Sequence, residues 1–208
     1  MTQDDLSSDS PAPRGVDLIA GTIGKLNRGD EAATPTPVTI APTNLITGVS
    51  TANPGVVTTT SAHGLVTGQL VAIAGVAGAT MANGVWVVTV VSPTTFSIPV
   101  SCSGYSSGGL FVPASPGVEC SGHGTLRLDL VVSAKSGTST PTLTGNVYTS
   151  FDNGVTDPWR EVGSAMTGVT ATGTVREVFP GLDRWVCFAA QVSGTTPSFT
   201  FSCSGEVV

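Results

Sequence analysis

Between residues 54 and 112 the chain is written in short Val, Ile and Thr runs cut by Gly, Asn-Gly and Pro, the pattern of a small all-β unit. Strands are predicted over 56–60, 69–74, 85–91 and 95–100, separated by His63-Gly64, a Gly-rich loop ending in Asn83-Gly84, and the Ser92-Pro93 turn. Along the third run, Trp86, Val88 and Val90 fall on one face and Val85, Val87, Thr89 and Val91 on the other. Both faces are largely apolar, so both need covering, by closure into a barrel or by neighbours. A further strand is expected at 110–112, before Pro113 and Pro116.

The second half predicts strands at 124–133, 143–150, 159–162, 173–180, 184–192 and 198–207. In the first of these, Leu126, Leu128, Leu130 and Val132 alternate with Thr125, Arg127, Asp129 and Val131. One buried and one wet face is the mark of an antiparallel sandwich. The last two runs read as a hairpin. Val186, Phe188, Ala190 and Val192 then pair their apolar face with Phe199, Phe201 and Cys203, and Cys187 lies on the opposite face beside Trp185. That register keeps Cys187 from Cys203 and predicts free thiols, because a one-residue slip would turn the apolar set outward.

Residues 1–47 read as an extended N-terminal arm, rich in Pro and acids and lacking a periodicity that buries a core. The predicted organisation is therefore all-β: an arm at 1–47, a small β-barrel at 48–114 and an antiparallel β-sandwich at 115–208. The arm's apolar residues Val16, Leu18, Ile19 and Ile23, able to form a short helix or one extended segment, and Val38 and Ile40 in a strand-like PTPVTI, are the candidate partner-binding residues. Such an arm is expected to order only against a partner.

Charge sharpens this picture. Residues 32–118 contain no Asp, Glu, Lys or Arg, which leaves the barrel with an uncharged surface suited to packing against copies of itself or a larger assembly. A net charge of -6 with no basic cluster argues against phosphate-based nucleic-acid binding. No apolar run is long enough to span a bilayer, and the acidic start does not resemble a secretion signal. A reducing compartment would keep the four cysteines as thiols, and their spacing fits no zinc pattern.

The segments AHGLVTGQLVAIAGV, NGVWVVTVV, TTFSI and YSSGG, in that order, resemble an FCCH-like small β-barrel module of tailed-bacteriophage virion proteins, named after a domain of ubiquitin-activating enzymes. LRLDLVVSAKSGT, VYTSFDNG, WREVG and REVFPGLDRWVCFAAQVSGTTPSFTFSCSGE resemble a phage-type C-terminal β-sandwich, with Asn153 where that family has Gly. These resemblances imply a virion structural protein without catalytic residues, assembled in the host cytoplasm. The role expected is capsid decoration, with the arm on the major capsid protein or other virion proteins and the chain as a homo-oligomer. A tail, neck or head-tail adaptor component is the alternative, and a glycan-binding adhesin module a third.

Candidate chemistry is sparse. Ser150, Asp152, Gly154 and Thr156 with Trp159 approximate the Asp-box of sialidases, in which the Asp caps a turn by accepting backbone N–H bonds. His63 and His123 sit in Gly turns without Cys, Asp or Glu at ligand spacing. There is no G-x-S-x-G elbow and no phosphate-cradling loop. Asp129, Asp152, Asp157, Glu161, Glu177 and Asp183 are scattered among arginines as on a solvated surface. Trp86, Tyr105, Trp159 and Trp185 are expected to serve packing rather than a sugar platform. No enzyme activity and no cofactor or metal are expected.

Overall fold

The computed structural model describes residues 14–17, 38–40, 45–115, 117–120 and 124–207. They form an all-β chain with antiparallel sheets, relieved by one 3-10 turn at Thr80–Ala82. Two short strands come from the arm, β1 (Arg14–Asp17) and β2 (Val38–Ile40). The barrel follows as β3 (Ile46–Val49), β4 (Gly55–Thr59), β5 (Leu70–Ala77), β6 (Gly84–Val87), β7 (Thr89–Ser92), β8 (Thr95–Ile98) and β9 (Ser107–Pro113). The sandwich is built from β10 (Val118–Glu119), β11 (Thr125–Ser150), β12 (Arg160–Glu161), β13 (Gly173–Pro180) and β14 (Trp185–Val207).

The barrel consists of a four-stranded sheet ordered β3-β4-β8-β7 and a three-stranded sheet ordered β6-β5-β9. The run read as one strand at 85–91 is broken at Val88. Its N–H goes to Gln69 O (3.0 Å) and its carbonyl accepts from Gly68 (2.8 Å), so β6 stays in one sheet while β7 turns into the other. A chain that switches sheets at a corner closes one side of the barrel. The single bridge between Leu45 and Leu110 joins the other side. Val57, Val71, Ile73, Val88, Phe96, Ile98 and Phe111 fill the interior.

The sandwich corrects the hairpin reading. Segments 184–192 and 198–207 are two halves of the single strand β14, and neither pairs with the other. β14 instead runs along β11 from the Leu126↔Val207 pair to the Ser150↔Trp185 pair. A straight strand as long as β11 would extend about 85 Å at ~3.3 Å per residue, yet Leu126, Leu130, Leu143 and Val147 share one core with Phe188, Val192, Phe201 and Cys203. The two-stranded ribbon therefore doubles over on itself. Its bend coincides with register shifts between Val132 and Thr142 and with left-handed backbone at Gly137, Ser139, Thr140, Gly194 and Thr196. The shifts change the buried parity of β11 from even positions at Leu126–Val132 to odd ones at Leu143–Val147. The apolar faces expected to meet do meet, but across the core rather than side by side.

β13 extends the β11 side of this sheet, and β1, β2 and β10 lie along β14. The arm strands are thus paired within their own chain. For those residues the expectation that the arm orders only against a partner fails. The edge of β14 away from β11 supplies the N–H and C=O groups with which these short strands pair.

Candidate functional site

The best-defined constellation outside the cores is the turn after β11. Ser150 Oγ accepts the Gly154 N–H (2.9 Å), and the Asp152 carboxylate accepts the N–H groups of Val155 (3.0 Å), Thr156 (2.7 Å) and Asp157 (3.1 Å). The Thr156 hydroxyl donates to the same carboxylate at 2.5 Å. Foremost through that hydroxyl, and then through the backbone donors, the Asp152 carboxyl is pulled down to about 2. A carboxylate so occupied caps its own turn and is not a base. Asn153 (φ 63°) and Gly154 (φ 77°) take the left-handed backbone the turn needs, which Asn tolerates better than other residues with a side chain.

The turn delivers Trp159 into a third apolar cluster, where the indole is 7% exposed. Leu70, Ala72, Val85, Val112 and Ala114 of the barrel side meet Trp159, Cys187 and Ala189 of the sandwich there. This seam joins the two units. Arg160, next in sequence, pairs with the buried Asp183 and lies 5.7 Å over the exposed ring of Phe151. Asp183 N–H in turn donates to Thr149 Oγ1 (2.7 Å), fixing the turn against the strand ends. The sequence reading missed the seam, although WVCFAAQV carries it. Trp185, Cys187 and Ala189 alternate with Val186, Phe188 and Ala190, so both faces of that half of β14 are apolar.

The other candidates resolve into structural roles. His63 Nδ1 accepts the Leu65 N–H (3.0 Å) and Nε2 donates to Ser92 O (2.9 Å), with Phe96 edge-on at 5.5 Å. These bonds fix the Nε2–H tautomer and pin the AHGL turn to the β7–β8 hairpin. His123 lies outside the described residues. Asp129 pairs with Arg176 (2.9 Å), Glu161 accepts from Asn146 (2.6 Å), Glu177 accepts from Thr167 N–H (3.1 Å) and Asp157 accepts from Phe151 N–H (2.7 Å). Among the described residues no group of His, Cys, Asp and Glu converges as a metal site. Trp86 Nε1 donates to Ala82 O (2.8 Å), and Trp86 and Tyr105 pack on the barrel core while Trp159 and Trp185 pack at the seam.

None of the four cysteines forms a disulfide, and all four are buried. Cys203 belongs to the sandwich core and Cys187 to the seam on the opposite face. Burial, helped by the Asp183 charge, pushes the Cys120 thiol up to about 11, and burial also raises Cys187 and Cys102.

Of the arm residues, Val16 stands in β1 opposite Gly205, and Val38 and Ile40 stand in β2 opposite Phe201 and Phe199. Leu18, Ile19 and Ile23 lie outside the described residues. Val66 (67% exposed), Val91 (60%), Val87 and Thr89 face outward from the barrel, a unit with no charged side chain. Of the second face of the 85–91 run, only Val85 is covered, by the seam. Among the described residues no helix is long and apolar enough to cross a membrane.

A family model described as the ubiquitin-activating enzyme E1 FCCH domain matches residues 52–113, less than a third of the chain. That segment coincides with most of the barrel from the approach to β4 through β9. No curated protein matches the chain. The chain thus contains a segment similar to the FCCH domain, built as a small β-barrel and followed by a β-sandwich.

Proposed function

We propose that this chain is a structural protein of a tailed-bacteriophage virion, and within it a capsid decoration protein that binds the assembled major capsid protein as a homo-oligomer. The observation that carries the reading is the barrel's outer surface: no charge from residue 32 to residue 118, with Val66, Val87 and Val91 exposed. Such a surface gains by being covered, because removing apolar area from water is worth about 25 cal/mol per Å² and no charge has to be desolvated. The resemblances of the barrel and of the WREVG and FPGLDRWV segments to phage modules supply the kind of partner. The turn chemistry supports the same reading, since Asp152, Asp183 and Arg160 are spent on holding Trp159 and the seam.

The test is co-sedimentation of purified protein with phage shells that lack it, using the parent chain and Thr89→Lys. Thr89 is exposed on β7, so the lysine leaves the fold intact, while burial of that face against a partner makes an unpaired charge cost several kcal/mol. The parent chain binding shells, and the Thr89→Lys chain folding normally but binding poorly, is the expected result. Equal binding by both chains removes the barrel from the interface. Binding to isolated tails instead of shells replaces decoration with a tail or neck role.

A further inference from the structure

We propose that the edge of β14 at residues 204–207 is a strand-acceptor site that takes β1 from a second copy of this chain. In the single chain, β1 and β2 lie end to end along this edge, both antiparallel to β14. Arg14 pairs with Val207 and Asp17 with Ser204, then Val38 pairs with Phe201 and Ile40 with Phe199. Only Ser202 and Cys203 of β14 fall between the two sites, so Asp17 and Val38 need to be bridged over about 10 Å, three strand steps of ~3.3 Å.

The chain spends residues 18–37 on that bridge. A segment of that length reaches up to about 66–72 Å when extended, several times what the gap demands. The link is therefore long enough for β1 to dock on a neighbouring β14 while β2 remains on its own. The exchanged and unexchanged forms make the same backbone pairs, which makes exchange of an identical element a low-cost route to association. Leaving the edge empty is the disfavoured state, since it exposes a row of unpaired N–H and C=O groups. What selects between the two forms is concentration. A link of this length presents β1 to its own edge at an effective concentration of roughly millimolar. Copies held side by side at comparable or higher local concentration compete with that. The inference stands whether or not the chain decorates a shell.

Paired strands also give the test, because directly opposed residues lie within disulfide reach. The full-length Asp17→Cys chain and the full-length Ser204→Cys chain are mixed at about millimolar concentration and oxidised, and linked peptides are identified by mass spectrometry. The doubly substituted chain, oxidised when dilute, serves as the reference for pairing in one chain. Exchange predicts a covalent dimer joining position 17 of one chain to position 204 of the other, with a yield that falls on dilution. The proposal is overturned if position 17 links to position 204 only inside the doubly substituted chain. It is equally overturned if neither preparation links 17 to 204, or if dimers form only between two copies of the same position.

Discussion

Replacing Trp159 by Ala tests whether the capped turn exists to build the seam. The indole is 7% exposed among Leu70, Ala72, Val85 and Cys187, and Gly154 is packed so closely that a Cβ there would lie 2.4 Å from Nε1. An aromatic of this size buries about 150–250 Å², worth about 4–6 kcal/mol at about 25 cal/mol per Å² as an upper estimate. Measured truncations of buried Trp and Phe cost about 3–5 kcal/mol, which is the loss expected here. Because the seam draws on both units, they should melt together, and for a chain of this size each kcal/mol lowers the midpoint by about 2–4 °C. Calorimetry of Trp159→Ala should then show one transition moved down by roughly 6–20 °C. Trp159→Phe should lose under about 1.5 kcal/mol, since no group among the described residues accepts the indole N–H. Asp152→Ala disrupts the same unit from the other end. The double variant should therefore cost less than the sum of the single ones, with a coupling of about 0.5–3 kcal/mol. A loss below about 1 kcal/mol for Trp159→Ala, or a barrel transition that does not move, would refute the assignment of this turn to the seam.

Acid unfolding should report on the same turn. The folded Asp152 carboxyl sits at about 2, below its unfolded value near 4, so its contribution is fully present above about pH 4 and is lost as pH falls from there toward 2. Asp152→Asn should flatten that part of a circular-dichroism acid titration. Gly78→Ala should destabilise the barrel by about 1–3 kcal/mol in urea unfolding, because φ is +79° and a Cβ would stand 2.1 Å from Gly104 O. Gly64→Ala, at φ +65° with no atom within 4 Å, should cost only the backbone strain of about 1–2 kcal/mol. Iodoacetamide at pH 8 should leave all four thiols unmodified in the native protein and label them in denaturant, read by intact mass.

The β character of the chain, most strand positions and the Asp152 turn are legible in the order of residues alone. Each of these depends on neighbours within a few residues: alternation at Leu126, Leu128 and Leu130, Gly and Asn where left-handed backbone is required, and Ser and Asp beside the amides they cap. Tertiary structure decided which strand pairs with which. Val186, Phe188 and Val192 must face Phe199, Phe201 and Cys203 in any arrangement, and period-2 alternation is satisfied equally by a hairpin and by a ribbon that doubles over. The break at Val88 was likewise invisible in an unbroken run of β-forming residues, because it is the closure of the barrel that forces the chain to change sheets there. The placement of Val85 against Cys187 and Ala189 required both units to be present. The arm shows the same division. Its composition marks a segment without a core of its own, but only the exposed edge of β14, formed by residues far along the chain, gives Arg14–Asp17 and Val38–Ile40 somewhere to pair.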